Sequence, residues 1–216
     1  VYLPYESSGP ALLQSATCTA IADGIRLTVN TENTDSSRYV VAVLFKGTLN
    51  ARCGAITLAD GSTTPSDVTE PGFKPDLVFF TCAGLAGVSS GETQSIISFG
   101  VAHNNSAETV TQRSTAMFDR DDQASAVAGT SYSETRCLTQ TYNNTVTWGV
   151  VASDFDENGF TLTPSANPSG DKIGYLAIEL QHPDDAYVIT DEVATSTGDD
   201  AVTGAGFKPE ALILSG

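Results

Sequence analysis

Three short phrases of this sequence each occur twice, in the same order and at nearly the same separation. The phrase GFKPDLVFF at 72–80 returns as GFKPEALIL at 206–214, and the two copies are about 135 residues apart. Two further pairs keep that separation: DGIRLTVNT at 23–31 with NGFTLTPSA at 158–166, and RYVVAVLF at 38–45 with GYLAIEL at 174–180. One order and one spacing in three phrases predict a tandem repeat.

The repeat also predicts where its units begin and end. A complete unit runs from about residue 47, through the first GFKP, to residue 180, so we expect residues 47–180 to form one β-sandwich. Residues 1–46 then correspond to the C-terminal part of one unit, and residues 181–216 to the N-terminal part of a further unit. We expect either a longer parent chain or a permuted fold in which the two part-units pair.

Strand and turn signals follow one another along the chain. In QSIISFGVAH at 94–103 and VTWGVVA at 146–152, apolar residues alternate with small or polar ones, as in strands that bury one face. The Asn-Gly in DENGF and the Asp-Gly in IADGI are strong hairpin signals. Only 17% of the residues are charged, and no stretch has the composition of a long helix. The sequence therefore predicts an all-β fold of antiparallel β-sandwich or jelly-roll units.

The GFKP phrase reads as the entry to a core strand. Gly72 permits a tight turn, Pro75 begins a strand where no ladder donor is needed, and Phe73 is expected to plug the end of the core. The same roles are predicted in the second copy for Gly206, Pro209 and Phe207.

The charge of the chain excludes one class of partner. Ten basic residues against 26 acidic ones give a net charge of -16, and the basic residues are scattered. Nucleic acid is therefore not expected as a partner, because binding phosphates needs a basic patch. No apolar run approaches the roughly 18 residues of a membrane-spanning helix, so membrane insertion is not expected.

Four cysteines occur without a CxxC pair, which argues against a zinc site or a thioredoxin-like motif. They are Cys18, Cys53, Cys82 and Cys137. Disulfides with three possible pairings and buried free thiols both remain open.

The order GFKPDLVFF, ISFGVAH and DENGFTLTPSANPSGDKIGYLAI resembles a family of structural proteins from tailed bacteriophages and prophages. Units of that family run GFxP(D/E)xV, an SFG-like strand, NGFTL and GYxAL, and the likeness extends over the complete unit and both part-units. It implies a β-sandwich in the virion, as a tail fibre, tail or capsid-decorating protein that contacts copies of itself and other virion proteins. The family supplies no catalytic residues.

The residues suggest two candidate binding sites. Asp154, Asp156 and Asn158 fit the opening of a calcium loop, although Ser165 stands where such a loop has its bidentate Glu. A solvated hairpin turn is the alternative, and no other cofactor is expected. For a sugar, Tyr132 in GTSYSE and Tyr142 in QTYNN are predicted loop tyrosines, whereas Trp148 alternates with core residues.

No catalytic constellation is evident. GVSSG at 87–91 matches GxSxG but lies in a polar loop, without the strand and helix that a nucleophile elbow needs. Neither His103 nor His182 has an identifiable nucleophile or orienting acid. We therefore expect a non-enzymatic virion structural protein that packs against itself, or alternatively a host-attachment adhesin that binds surface glycans through loops at the end of the sandwich.

Overall fold

The structure is a computed structural model, and it describes residues 2–3, 14–21, 24–31, 50–58, 62–83, 94–120, 127–142, 145–165, 172–192, 197, 199 and 201–215. These residues form antiparallel β-strands with one short 3-10 helix, Pro183–Asp185, so the predicted all-β class is confirmed. The chain divides into two compact units. The first comprises Val1–Thr48 and Gly87–Glu92, and the second comprises Leu49–Ala86 and Thr93–Gly216.

The first unit contains a three-stranded antiparallel sheet. Its strands are β1 (Tyr2–Leu3), β2 (Gln14–Ile21) and β3 (Gly24–Thr31), in the order β1-β2-β3. The hairpin between β2 and β3 closes with Ile21 opposite Gly24. The Asp-Gly signal therefore marks a hairpin, as the sequence predicted.

The second unit contains two antiparallel sheets. One has six strands in the order β4-β13-β6-β7-β8-β9, and the other has four in the order β10-β11-β12-β5. The first five of these strands are β4 (Ala51–Thr57), β5 (Ser66–Val68), β6 (Leu77–Ala83), β7 (Gln94–Asn104) and β8 (Val110–Arg120). The other five are β9 (Val127–Ser133), β10 (Leu138–Tyr142), β11 (Thr145–Asp156), β12 (Gly159–Pro164) and β13 (Lys172–Ile178).

The strand pairing joins distant parts of the second unit. Strands β6 to β9 and β10 to β12 are two meanders, each formed by strands that follow one another in the chain. The last two strands of the second unit pair with its first two: β13 pairs with β4, and β12 pairs with β5. Nested pairings of this kind are a feature of jelly rolls. They also place β13 between β4 and β6.

The two sheets enclose one apolar core. Alternate residues of β6 and β11 point into it, and Phe160 of β12 lies fully buried within it. The Phe160 ring meets Phe80 and Tyr175 edge to face, with ring centroids 5.6 and 5.5 Å apart. Burying a side chain of this size stabilises the fold by about 1.5–3 kcal/mol. Contacts that join both sheets make the second unit a β-sandwich.

The GFKP phrase forms the predicted turn before β6. Gly72 has a φ of 73°, a left-handed conformation that favours glycine, and its N–H donates to the carbonyl of Asn158 at 2.9 Å. Pro75 is buried, and Phe73 packs against the core while remaining partly exposed. The core-plug prediction was wrong for the second copy, because the Phe207 side chain is 40% exposed.

The strands of the sandwich lie between Ala51 and Ile178, inside the predicted unit 47–180. The assignment of 1–46 and 181–216 as part-units stays a prediction, as does the tandem arrangement. Among the helices of the described ranges, none has the length and apolar character needed to cross a bilayer.

Candidate functional site

The outer face of the six-stranded sheet carries an apolar patch. Alternation in β6 to β9 turns Phe79, Ile97, Phe99, Met117 and Tyr132 away from the core, and we call these five residues the outer patch. Ile97 lies opposite Met117, and the Phe79 and Phe99 rings stack with centroids 6.2 Å apart. Met117 is 51% exposed and Tyr132 is 62% exposed. An antiparallel sheet with one face in water usually carries polar side chains there.

The C-terminal segment of the second unit extends this apolar surface. A groove of about 300 Å³ lies between the outer patch and the segment, lined on one side by Ile97, Phe99 and Met117 and on the other by Leu214. Leu214 is itself 82% exposed. Contiguous exposed apolar surface of this kind marks interaction sites on soluble proteins.

The backbone of the same C-terminal segment, residues 211–215, has no strand partner within the described part of the chain. One side-chain contact attaches it to the sheet, with 3.3 Å between the hydroxyl oxygens of Ser215 and Thr115. The corresponding residues of the first copy, in β6, pair with β13 on one side and β7 on the other. An exposed segment whose backbone has no partner among the described residues is a candidate template for another strand.

A group of polar contacts holds one end of the sandwich together. The Asp76 carboxylate accepts the Leu180 N–H at 2.8 Å, and the Lys74 ammonium contacts the Glu108 carboxylate at 2.6 Å. Burial raises the pKa of Asp76, the strongest of several influences on it. The hydrogen bond from Lys74 lowers the pKa of Glu108. These contacts fix the chain after β13 and the turn between β7 and β8.

A histidine and a serine, residue types that often act in catalysis, lie at this end of the sandwich. Each is hydrogen-bonded to a residue of the segment after β13. His103 is buried, and its Nε2 lies 2.6 Å from the Pro183 carbonyl oxygen, to which an Nε2–H donates. The Ser106 hydroxyl donates to the Asp184 carboxylate at 2.6 Å, and this bond lowers the pKa of Asp184. The histidine and the serine are therefore not bonded to each other as a base and a nucleophile would be. His182 is exposed, and GVSSG lies outside the described residues.

The predicted calcium ligands form the hairpin turn between β11 and β12. Asp156 Oδ1 accepts the N–H groups of Asn158 and Gly159 at 2.8 and 3.0 Å. Asp154 is exposed, with a φ of 47°, and accepts a hydrogen bond from the Ser153 hydroxyl at 3.2 Å. Throughout the described ranges, no three His, Cys, Asp or Glu residues are placed to hold a metal ion. Calcium binding here stays a prediction.

The two candidate sugar-binding tyrosines lie on strands, and the loop prediction was wrong for both. Tyr132 is in β9, because its segment pairs with β8, and it belongs to the outer patch. Tyr142 is the last residue of β10, on the other sheet, opposite Thr145. Trp148 is buried in the core, as its alternation predicted. A glycan-binding role for either tyrosine stays a prediction.

Three cysteines are free thiols in the described structure. Cys53 is exposed on β4, whereas Cys82 and Cys137 are buried. The Cys137 thiol donates to the Val150 carbonyl at 3.3 Å, and burial raises its pKa. The side chain of Cys18 lies outside the description.

Sequence reasoning did not find the outer patch as a site. The alternation in QSIISFGVAH predicted that β7 buries the face of Ile97, Phe99 and Val101. That prediction was wrong, because Ser98, Gly100 and Ala102 are the buried residues and Ile97 is 49% exposed. Which face meets the second sheet depends on β10 to β12, far along the chain.

Comparison of the chain with protein-family models, with curated proteins and with solved structures finds no match in any of the three.

Proposed function

We propose that this chain is a non-enzymatic structural protein of a bacteriophage virion, which builds a fibre, tail or capsid appendage by packing against copies of itself and other virion proteins. The observation that carries the proposal is the outer patch, an exposed apolar face on an otherwise strongly anionic chain. The sequence phrases support the same class through their resemblance to phage and prophage structural proteins.

The outer patch suits association between like-charged copies. A net charge of -16 makes two copies repel each other, and repulsion is smallest where a face carries no charge. None of the five patch residues is charged. Stable interfaces bury about 800 Å² on each partner and have an apolar centre within a polar rim. The outer patch provides such a centre.

The first test measures assembly in solution. Met117→Lys places a charge in the middle of the outer patch, and Ala107→Lys adds the same charge at an exposed turn away from it. We expect light scattering to show an oligomer for the wild-type chain and for Ala107→Lys, and a shift towards monomer for Met117→Lys. Circular dichroism checks that all three are folded. A wild-type monomer, or a Met117→Lys oligomer of unchanged mass, contradicts packing through the patch.

The second test concerns the particle. Antibodies against this chain should label purified phage particles in electron micrographs at repeated, symmetric positions. Their position distinguishes a fibre from a tail or capsid appendage. Particles that carry no label contradict the virion assignment, whatever the behaviour of the isolated chain.

The alternative function is a receptor-binding adhesin that recognises host-surface glycans. The exposed ring of Tyr132 favours it, because sugars stack on aromatic platforms. A glycan array probed with the full chain tests this alternative. Binding that is lost in Tyr132→Ala but retained in Ala107→Lys supports the adhesin, and a blank array rejects it.

A further inference from the structure

The turn between β7 and β8 holds a glutamate in an uncommon backbone conformation. Glu108 has a φ of 57°, in the left-handed region that residues other than glycine seldom occupy. The Glu108 N–H donates to the Asn105 carbonyl at 3.0 Å. The Asn105 side chain in turn accepts the N–H groups of Ala107 and Thr109. These bonds fix the turn, and strained residues held in this way are frequent at functional sites.

The Glu108 carboxylate contacts two nitrogen groups from different parts of the second unit. The Lys74 ammonium donates to Oε1 and Oε2 at 2.6 and 2.7 Å. The Asn104 side-chain amide donates to Oε2 at 3.1 Å, and it presents Nδ2 because an amide oxygen would be repelled by the carboxylate. Asn104 is 3% exposed, so its amide is shielded from water. One carboxylate oxygen therefore lies within hydrogen-bond distance of both an amine and an amide.

The backbone keeps the lysine and the asparagine side by side. Lys74 precedes β6 and Asn104 ends β7, two strands that pair with each other. The Asn104 N–H donates to the carbonyl of Asp76, two residues after Lys74, at 2.7 Å. The site thus combines a nucleophilic amine, an amide carbon and a carboxylate that contacts both groups. These are the components needed to exchange one amide bond for another.

We propose that Lys74 and Asn104 form an amide cross-link within the chain, with Glu108 as the catalytic residue that carries the protons. The Glu108 carboxylate takes a proton from the Lys74 ammonium, and the resulting amine attacks Cγ of Asn104. A bond forms between Nζ and Cγ, and the bond between Cγ and Nδ2 breaks. Both protons that the lysine nitrogen loses pass to the departing nitrogen, which leaves as ammonium, and Glu108 is a carboxylate again. The reaction needs no oxidant, reductant or further reactant.

The first proton transfer makes this reaction slow. In water a lysine holds its proton far more tightly than a glutamate, so a neutral amine beside a neutral carboxyl group is seldom populated. Positioning compensates for this cost, because groups held in place react as if they were highly concentrated. The flexible stem of Lys74 can bring Nζ to about 3–3.5 Å from Cγ, the separation at which positioned groups react. We expect each chain to react once, over hours or days after folding.

The cross-link would join the start of β6 to the end of β7. It closes a covalent loop that contains both strands, and such a loop stabilises a fold as a disulfide does, by restricting the unfolded chain. The melting temperature should therefore rise by several degrees as the reaction proceeds. Because the reaction takes place within one chain, it does not depend on the proposed self-packing.

The test measures the mass of the intact chain after prolonged incubation in the folded state. Glu108→Gln cannot accept a proton, and Lys74→Arg carries a guanidinium that keeps its proton. The matched controls make the same changes elsewhere, with Glu157→Gln in the exposed turn between β11 and β12 and Lys172→Arg at the exposed start of β13. Circular dichroism checks that the four variants are folded like the wild-type chain.

We expect the wild-type chain and both controls to become lighter by the mass of one ammonia molecule, and Glu108→Gln and Lys74→Arg to keep the mass of their sequences. A protease that cleaves after glutamate separates Lys74 from Asn104 at Glu92, so mass spectrometry identifies the cross-link as a joined pair of peptides. A wild-type chain that keeps its sequence mass, or that loses ammonia without a joined pair, overturns the cross-link. A joined pair of equal yield in Glu108→Gln overturns the role of Glu108. The oligomeric state tests the proposed function separately.

Discussion

The Asp76 carboxylate accepts a hydrogen bond from the Leu180 backbone N–H, with 2.8 Å between Oδ2 and the nitrogen. The Asp76 N–H in turn donates to the Ile178 carbonyl at 2.9 Å. One residue thus fastens the start of β6 to the end of β13, two strands that are far apart in the sequence. The carboxylate that does so is buried, and its pKa is raised by that burial.

Asp76→Asn is expected to make the melting temperature depend differently on pH. The folded pKa of Asp76 lies above its ordinary value of 3.8, so its stabilising contribution is fully present below that value and is lost as the pH rises through the folded pKa. The amide of Asn keeps an oxygen for the Leu180 N–H and does not ionise. The variant should therefore gain in melting temperature relative to the wild-type chain as the pH rises through that range.

The pKa values of two other carboxyl groups shift in the opposite direction. Comparing the wild-type chain with Asp76→Asn removes their effect. The pKa values of Glu108 and Asp184 are lowered, so their contributions are present above the ordinary values and are lost as the pH falls. Both groups are present in the wild-type chain and in Asp76→Asn, so the difference between the two melting curves isolates Asp76. A difference that is the same at every pH contradicts the raised pKa.

Asp76→Ala, which removes the acceptor, should lower the free energy of unfolding by about 1–3 kcal/mol.

Gly100 of β7 lies against the backbone of Cys137, the residue before β10 of the other sheet. A Cβ added to Gly100 would meet the Cys137 carbonyl oxygen at 1.8 Å, a backbone atom that cannot move aside alone. Gly100→Ala should therefore destabilise the fold by about 3 kcal/mol, at the upper end of usual overpacking effects. Chemical denaturation measures this loss directly.

Gly174→Ala is the matched control for that change. Gly174 is a glycine of the same sheet, but an added Cβ would meet the Thr81 methyl group at 3.1 Å and the Thr81 carbonyl oxygen at 3.9 Å, an ordinary contact distance. A few tenths of an ångström of side-chain movement relieves that contact, so we expect a much smaller loss. Equal losses in the two variants would mean that the sheets do not approach each other at Gly100.

The loss of stability on replacing a phenylalanine by alanine should follow how deeply that phenylalanine is buried. Phe160 is 2% exposed and contacts three other rings, so Phe160→Ala should lower the free energy of unfolding by about 3–5 kcal/mol. Phe73 is only partly buried, and Phe73→Ala should lower it by less. Phe207→Ala, at an exposed position, should change it by no more than about 0.5 kcal/mol. A loss at Phe207 as large as at Phe160 would mean that the second GFKP also has a core to plug.

Local patterns predicted much of this fold, because strands and hairpins depend on neighbouring residues. The alternation in β7 and β11 and the turn at Asn158 were readable from the sequence. The insertion of β13 between β4 and β6 was not, because no local pattern records which distant strands pair. Tyr132 shows the limit of composition: its Ser- and Thr-rich surroundings suggested a loop, yet pairing with β8 makes them a strand.

The candidate surface was less predictable than the fold. Apolar residues occur on both faces of β6, as in Val78 and Phe79, a pattern that is typical of a strand covered on both sides. The structure covers one face fully with the second sheet and leaves the other partly exposed. Whether a side chain is exposed depends on its tertiary contacts, which the local sequence does not record. Leu214, for example, has no neighbouring strand among the described residues.

The hairpin turn at Asp156 provides a test that separates a structural role from calcium binding. Asp156 Oδ1 caps the turn by accepting the N–H groups of Asn158 and Gly159, so Asp156→Ala should lower the free energy of unfolding by about 1 kcal/mol. Asp156→Asn keeps the accepting oxygen and should lose less. If the residue only caps the turn, both losses are the same with added calcium and with a chelator. A melting temperature that calcium raises in the wild-type chain but not in Asp156→Asn would show instead that a cation uses the carboxylate, because a neutral amide holds calcium poorly.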